Sequence, residues 1–271
     1  MKNEKLSGHA AVLGAALMVV TGAAFAQGHV HSSAKTTATA QVSSPLRPVA
    51  LYPQRGSMIG EVFESYMSPL QEAGEEQDTP ANAPQEFRST APSKNRVQRD
   101  LEGHRGHGVL RFRNDMSRAY VDVKIEGIRA EDVNLFHIHC GKPDNLGPVL
   151  IDFGQITDLQ KSFKKGVLSV EITDQVVARS AQGDSTVEGQ ALAGCLVAAP
   201  SLTGGKPAKA ATVSGVAQLA REGALYFNLH TYAQTYFGDL RGQLLPASPE
   251  TARAARAQQN AAPKQKAASK R

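Results

Sequence analysis

The chain has 271 residues, 41% hydrophobic and 20% charged, with two cysteines, no tryptophan and a formal net charge of +5. That charge is local. Residues 247–271 set six basic side chains against Glu250 alone, so the rest of the chain has no excess charge of the kind that binds nucleic acid. Beyond the N-terminus no apolar run reaches the roughly 20 residues that a membrane span needs.

Lys2 and Lys5 precede the uncharged stretch Ala10–Val20, and Ala24-Phe25-Ala26 follows as a small-residue cleavage site. This is the pattern of a secretory signal peptide over residues 1–26, too short and too rich in Ala and Gly for a membrane helix. It directs the mature chain to the periplasm or the cell exterior. Cleavage there would expose Gln27-Gly28-His29. A free amine, two amide nitrogens and a histidine at position three form a square-planar set suited to Cu(II) or Ni(II). Cyclisation of Gln27 would remove it.

Residues 27–102 read mostly as a disordered extension, because Ser, Thr, Ala, Gln and Pro leave little to bury. One segment differs. Ile59, Val62, Phe63, Tyr66, Met67 and Leu70 recur at helical spacing and predict an amphipathic helix over 57–73, capped by Ser57, although Pro69 fits poorly near its end. Residues 72–95 are polar and Pro-rich, and read as a linker.

From about Gly103 the period becomes two. "GVLRFR", "AYVDVKIEGI", "PVLIDF" and "GVLSVEI" alternate apolar with polar residues, the mark of antiparallel sheets around one core with a wet outer face. "GVAQLARE" reads as the one short helix, with Ser214 as its cap and Gly223 closing it. "ALYFNLHT" and "GDLRGQLL" follow as a hairpin. The fold class is therefore all-β, an antiparallel β-sandwich of immunoglobulin-like or superoxide-dismutase-like kind over 103–246, with disordered flanks that include the basic tail 247–271.

"NLFHIHCGKP" carries the chemistry. Alternation puts His137 and His139 on one face, with Phe136, Ile138 and Cys140 on the other. On "LYFNLHT" the apolar set is Leu225, Phe227 and Leu229, so His230 joins the outer, polar side. Three imidazoles on one face are candidate ligands for copper or zinc; the alternative is hydrogen-bonded histidines holding loops over the sheet. Hairpin register sets His230 near Asp239 or Arg241, and Asp239 would be the carboxylate that orients a ligand ring. Arg241 and Gln243 are candidates for an anionic ligand, against a structural pairing of Arg241 with Asp239. His104 and His107, in "GHRGHG" just before the first strand, are candidates to approach the site, against a reading as Gly-flanked loop residues. In an oxidising compartment Cys140 and Cys195 are expected to form a disulfide; the other reading makes Cys140 a thiolate ligand beside His139.

"FHIHCG" with "NLGPVLIDFG", then "SGVAQLAREG", then "ALYFNLHTYAQTYFGDLRGQL" resemble the chordin-repeat (CHRD) domain over residues 103–246. Asp239 stands where that family usually has Glu, and residues 200–212 look like an inserted loop. The resemblance implies a secreted or cell-surface β module without an established general activity. "FHIH" is also similar to the copper strand of copper/zinc superoxide dismutases, but the zinc-loop histidines and aspartate have no counterparts. The expectation is a non-enzymatic binding or structural module acting on a protein or other extracellular ligand, with a copper or zinc ion as its cofactor if it has one. The alternative is a superoxide-dismutase-like copper redox enzyme.

Overall fold

A computed structural model describes residues 52–181, 194–197 and 208–261. The expected signal peptide, Gln27-Gly28-His29, most of the inserted loop and residues 262–271 lie outside them. The strands are β1 (Ile59–Met67), β2 (Arg105–Arg113), β3 (Ala119–Glu126), β4 (Val133–Cys140), β5 (Val149–Asp152), β6 (Leu168–Ile172), β7 (Leu196–Val197), β8 (Ala208–Lys209), β9 (Leu225–Thr231), β10 (Leu240–Gln243) and β11 (Leu245–Pro246). The helices are α1 (Pro53–Gly56), α2 (Arg96–Leu101), α3 (Leu159–Lys164), α4 (Asp174–Ala181), α5 (Val213–Arg221) and α6 (Pro249–Ala261).

Two antiparallel sheets form the body, one ordered β11-β1-β2-β3-β6 and the other β10-β9-β4-β5. The alternation read from the sequence decides which face of each is inward. Leu110 and Phe112 of β2, Val121 and Val123 of β3, and Leu168 of β6 are fully buried against Phe136 and Ile138 of β4 and Phe227 and Leu229 of β9. Phe136 stacks on Phe153 at 4.7 Å and on Phe227 at 5.5 Å. Each such side chain stabilises the fold by about 1.5–3 kcal/mol through the apolar area it removes from water. Helices α3, α4 and α5 close the core with Phe163, Val177 and Val216. Helix α5 is the expected one, but its N-cap is Thr212, whose hydroxyl accepts from Gly215 N, rather than Ser214; Gly223, at φ 62°, ends it.

The predicted helix over 57–73 is instead strand β1, paired between β11 and β2. Adjacent apolar residues point to opposite sides of a strand, and here both sides are covered. Phe63 and Met67 enter the main core, while Ile59 and Val62 pack under Ala252 and Ala255 of α6. Burial on both faces produced the i, i+3, i+4 spacing that reads as a helix, and Pro69 begins a separate short 3-10 turn.

The basic tail is likewise ordered as far as it is described. Helix α6 lies on β1, and the Glu64 carboxylate accepts hydrogen bonds from Ser248 N and Thr251 Oγ1, both at 2.7 Å, at its start.

Residues 72–95 are not a linker but part of a bonded stretch that runs from 68 to 102. Glu76 accepts from Tyr236 N and Phe237 N, Tyr232 O accepts from Thr90 N and Ala91 N, and Arg96 pairs with Glu75 at 2.9 Å. Asn95 opens α2 with a capping box. This stretch bonds the turn after β9, and every residue of β9 is buried, on both faces. The outer face of the second sheet is therefore a buried polar layer, not the wet surface expected from alternation.

Candidate metal centre

Three histidines meet in that layer. His137 and His139 are two apart on β4, and β9 runs antiparallel beside it with Leu135 opposite His230 and His137 opposite Asn228. His230 is thus a diagonal neighbour of His137. One ligand atom from each of the three rings lies within 4.8 Å of the others. His139 Nε2 is 3.3 Å from His137 Nδ1.

Backbone carbonyls decide which nitrogens are free. His139 Nδ1 donates to Gly147 O and His230 Nδ1 to Thr235 O, both at 2.9 Å. A carbonyl only accepts, so in the neutral rings both Nδ1 atoms carry the proton and both Nε2 atoms carry a lone pair. His137 Nε2 lies 3.7 Å from Asp152 Oδ1. His137 and His230 are 3% and 6% exposed, and the Nε2 atom of each is buried with no hydrogen-bond partner. Leaving such an atom unpaired costs about 1–3 kcal/mol.

Burial holds the rings neutral. It pushes His139 down to about 4 and His230 to about 3, and places His137 well below the usual histidine value; repulsion from the neighbouring rings adds to this for His137 and His230, and the Arg241 charge does so for His139. Neutral imidazoles are the form that binds metal. Ligands at about 2.0–2.1 Å from one ion cannot be more than about 4.2 Å apart, and tetrahedral neighbours are about 3.3–3.4 Å apart. The 3.3 Å pair fits; a separation of 4.8 Å has to close by about 0.6 Å to come within the linear limit and by about 1.4 Å to reach the tetrahedral spacing.

The surrounding shell is rigid. Tyr226, opposite His139 in the register, stacks on it at 5.1 Å with 11° between planes, and its hydroxyl accepts from Gly147 N. The Arg241 guanidinium sits 3.6 Å from the Tyr226 ring centre and donates to Lys142 O and Asn145 O. Gln243 Nε2 donates to Gly141 O, Gly223 O and Leu225 O. Arg241 and Gln243 therefore hold the loop after β4 in place. Gly147 is required there, because a Cβ on it would lie 1.4 Å from Cys140 O.

Asp239 does not orient a ligand ring and does not pair with Arg241. Gly238, at φ 99°, turns the chain just before it. Its carboxylate accepts from Thr231 Oγ1 at 3.0 Å, meets His104 Nδ1 at 2.7 Å and lies 3.6 Å from Arg99 Nη1. The Nδ1 proton of His230 is already taken by Thr235 O in the same turn. His107 is on the other sheet, stacked on Tyr66 at 4.6 Å. Neither His104 nor His107 reaches the three rings. Burial raises Glu72, which accepts from Asn228 Nδ2 at 2.7 Å, to about 8.

Cys140 and Cys195 form a disulfide with Cα atoms 5.9 Å apart. The thiolate-ligand reading of Cys140 is excluded, as the strand alternation had indicated. Asp152, Gly147 and Tyr226 were missed. Asp152 had a signal, since alternation in "VLID" places it on the face opposite Ile151, beside His137. The carbonyl partners had none, because main-chain acceptors carry no residue-type signature.

These features define a two-sheet β module whose buried polar layer holds a histidine cluster. The CHRD domain family model matches residues 87–244, more than half of the chain, and the protein belongs to that family. No curated protein and no solved structure matches the chain.

Proposed function

We propose that this CHRD protein is an exported, non-enzymatic binding module that holds one copper or zinc ion with His137, His139 and His230. The observation that carries this reading is the convergence of one nitrogen from each ring within 4.8 Å: the buried, unpartnered Nε2 atom of His230 lies beside the Nε2 lone pair of His139, which faces His137 Nδ1 at 3.3 Å. An ion there would take the Nε2 lone pairs of His139 and His230 and the Nδ1 lone pair of His137, with His137 Nε2 left facing Asp152. The burial of His137 and His230, with His139 half-buried, supports a holding role over turnover. The N-terminal pattern and the disulfide support a periplasmic or extracellular location. Gln27-Gly28-His29 would add a second, N-terminal copper element once cleavage frees its amine.

Elemental analysis of mature protein from its native compartment tests the reading. One copper or zinc per chain is expected, with none in a His230→Ala variant that keeps its far-ultraviolet circular dichroism. Metal-free wild type that also takes up neither ion on addition would refute it.

A further inference from the structure

Resting on that reading, we infer that the ion the three histidines select is monovalent copper. Among the described residues the cluster offers three nitrogens and neither a carboxylate nor a thiolate. The sulfur nearest in sequence, on Cys140, is in the disulfide. Three polar atoms that touch the rings or their partners are already engaged: Gly147 O and Thr235 O by imidazole protons, the Tyr226 hydroxyl by Gly147 N.

Zinc needs a fourth position, filled by a protein ligand in structural sites and by water in catalytic ones. The cleft that reaches Asp152, about 200 Å³ between α4 and the chain after β5, is not lined by any of the three rings; His137 and His230 are buried and His139 is half-buried. Cu(I), a filled-shell ion content with three nitrogens, requires no fourth ligand.

Charge points the same way. The cost of desolvating an ion grows with the square of its charge, and three neutral imidazoles compensate none of it. The one carboxylate paired with these rings among the described residues is Asp152, 3.7 Å from His137 Nε2. It can balance a single positive charge. The Arg241 guanidinium, stacked on the tyrosine that stacks on His139, works against any second one.

The test is a set of chelator-competition titrations on the mature chain carrying His29→Ala, so that the N-terminal element is not counted. Cu(I) under anaerobic conditions, Cu(II) and Zn(II) are each titrated against a chromophoric chelator. The expected result is one equivalent of Cu(I), bound at least a hundredfold more tightly than either divalent ion, and lost on His230→Ala. A divalent ion bound at one equivalent within a hundredfold of Cu(I) overturns the inference and leaves the metal-centre reading standing. Failure of all three to bind at one equivalent overturns both.

Discussion

Replacing both cysteines by alanine removes the bridge that ties residues 194–197 to the end of β4. The half-cystines are 55 residues apart, and Cys195 is fully buried. In the chain-entropy model a closed loop of that length restricts the unfolded state by about 4 kcal/mol. The folded side loses little hydrogen bonding, because Gly194 N still reaches Val149 O and Ala210 N still reaches Cys195 O. For a fold of this size 1 kcal/mol moves Tm by about 2–4 °C, so a fall of about 8–16 °C is expected. Thermal and urea denaturation at neutral pH of wild type, reduced wild type and the Cys140→Ala/Cys195→Ala variant measure the shift and the free energy. The reduced protein and the variant should lose similar amounts. A loss under about 1 kcal/mol in both would refute the reasoning, since the bridge would then not restrict the unfolded chain as its span requires.

The metal-free protein should lose stability on mild acidification. The folded values of His139 and His230 are depressed to about 4 and 3, so the unfolded chain takes up protons first. Their contribution is complete above about pH 6.5 and falls by about 1.4 kcal/mol per ring per pH unit below it. A urea midpoint that stays flat between pH 6.5 and 5 would contradict this. Gly147→Ala should weaken metal binding at least tenfold, because the added Cβ must push the loop carrying the carbonyl partner of His139 off Cys140 O; competition titration measures it. Glu64→Ala should cost about 1–2 kcal/mol, the range for a lost N-terminal helix cap. It should also speed amide exchange in α6, and unchanged exchange there would remove Glu64 from that role.

What the sequence made legible follows from what periodicity can report. Alternation registers a residue's burial without naming what buries it. Where one face met the core and the other met water, as in β2 and β3, the strands and their inward faces could be read directly. Where both faces are covered, the same signal misled. In β1 a second cover from α6 turned a strand into an apparent helix, and in β9 the cover from 68–102 turned a supposedly wet histidine face into a buried one. The three histidines were placed on one face correctly, because side-chain direction depends only on strand period. Their partners were misassigned. A hairpin register brings Asp239 near His230 along the chain, but the Gly238 turn hands its carboxylate to His104, Thr231 and Arg99. The cover over the site comes from a stretch poor in apolar residues, held by Glu75, Glu76 and main-chain bonds, and such bonds leave no pattern in composition.

The central claim, that His137, His139 and His230 together hold one ion, is tested most directly by X-ray absorption at the metal edge. The sample is the mature chain carrying His29→Ala, loaded with one equivalent of copper. Three imidazole nitrogens at about 2.0 Å, and no sulfur, are the predicted shell. A first shell of oxygen scatterers alone, or a spectrum unchanged by His137→Ala, would contradict it.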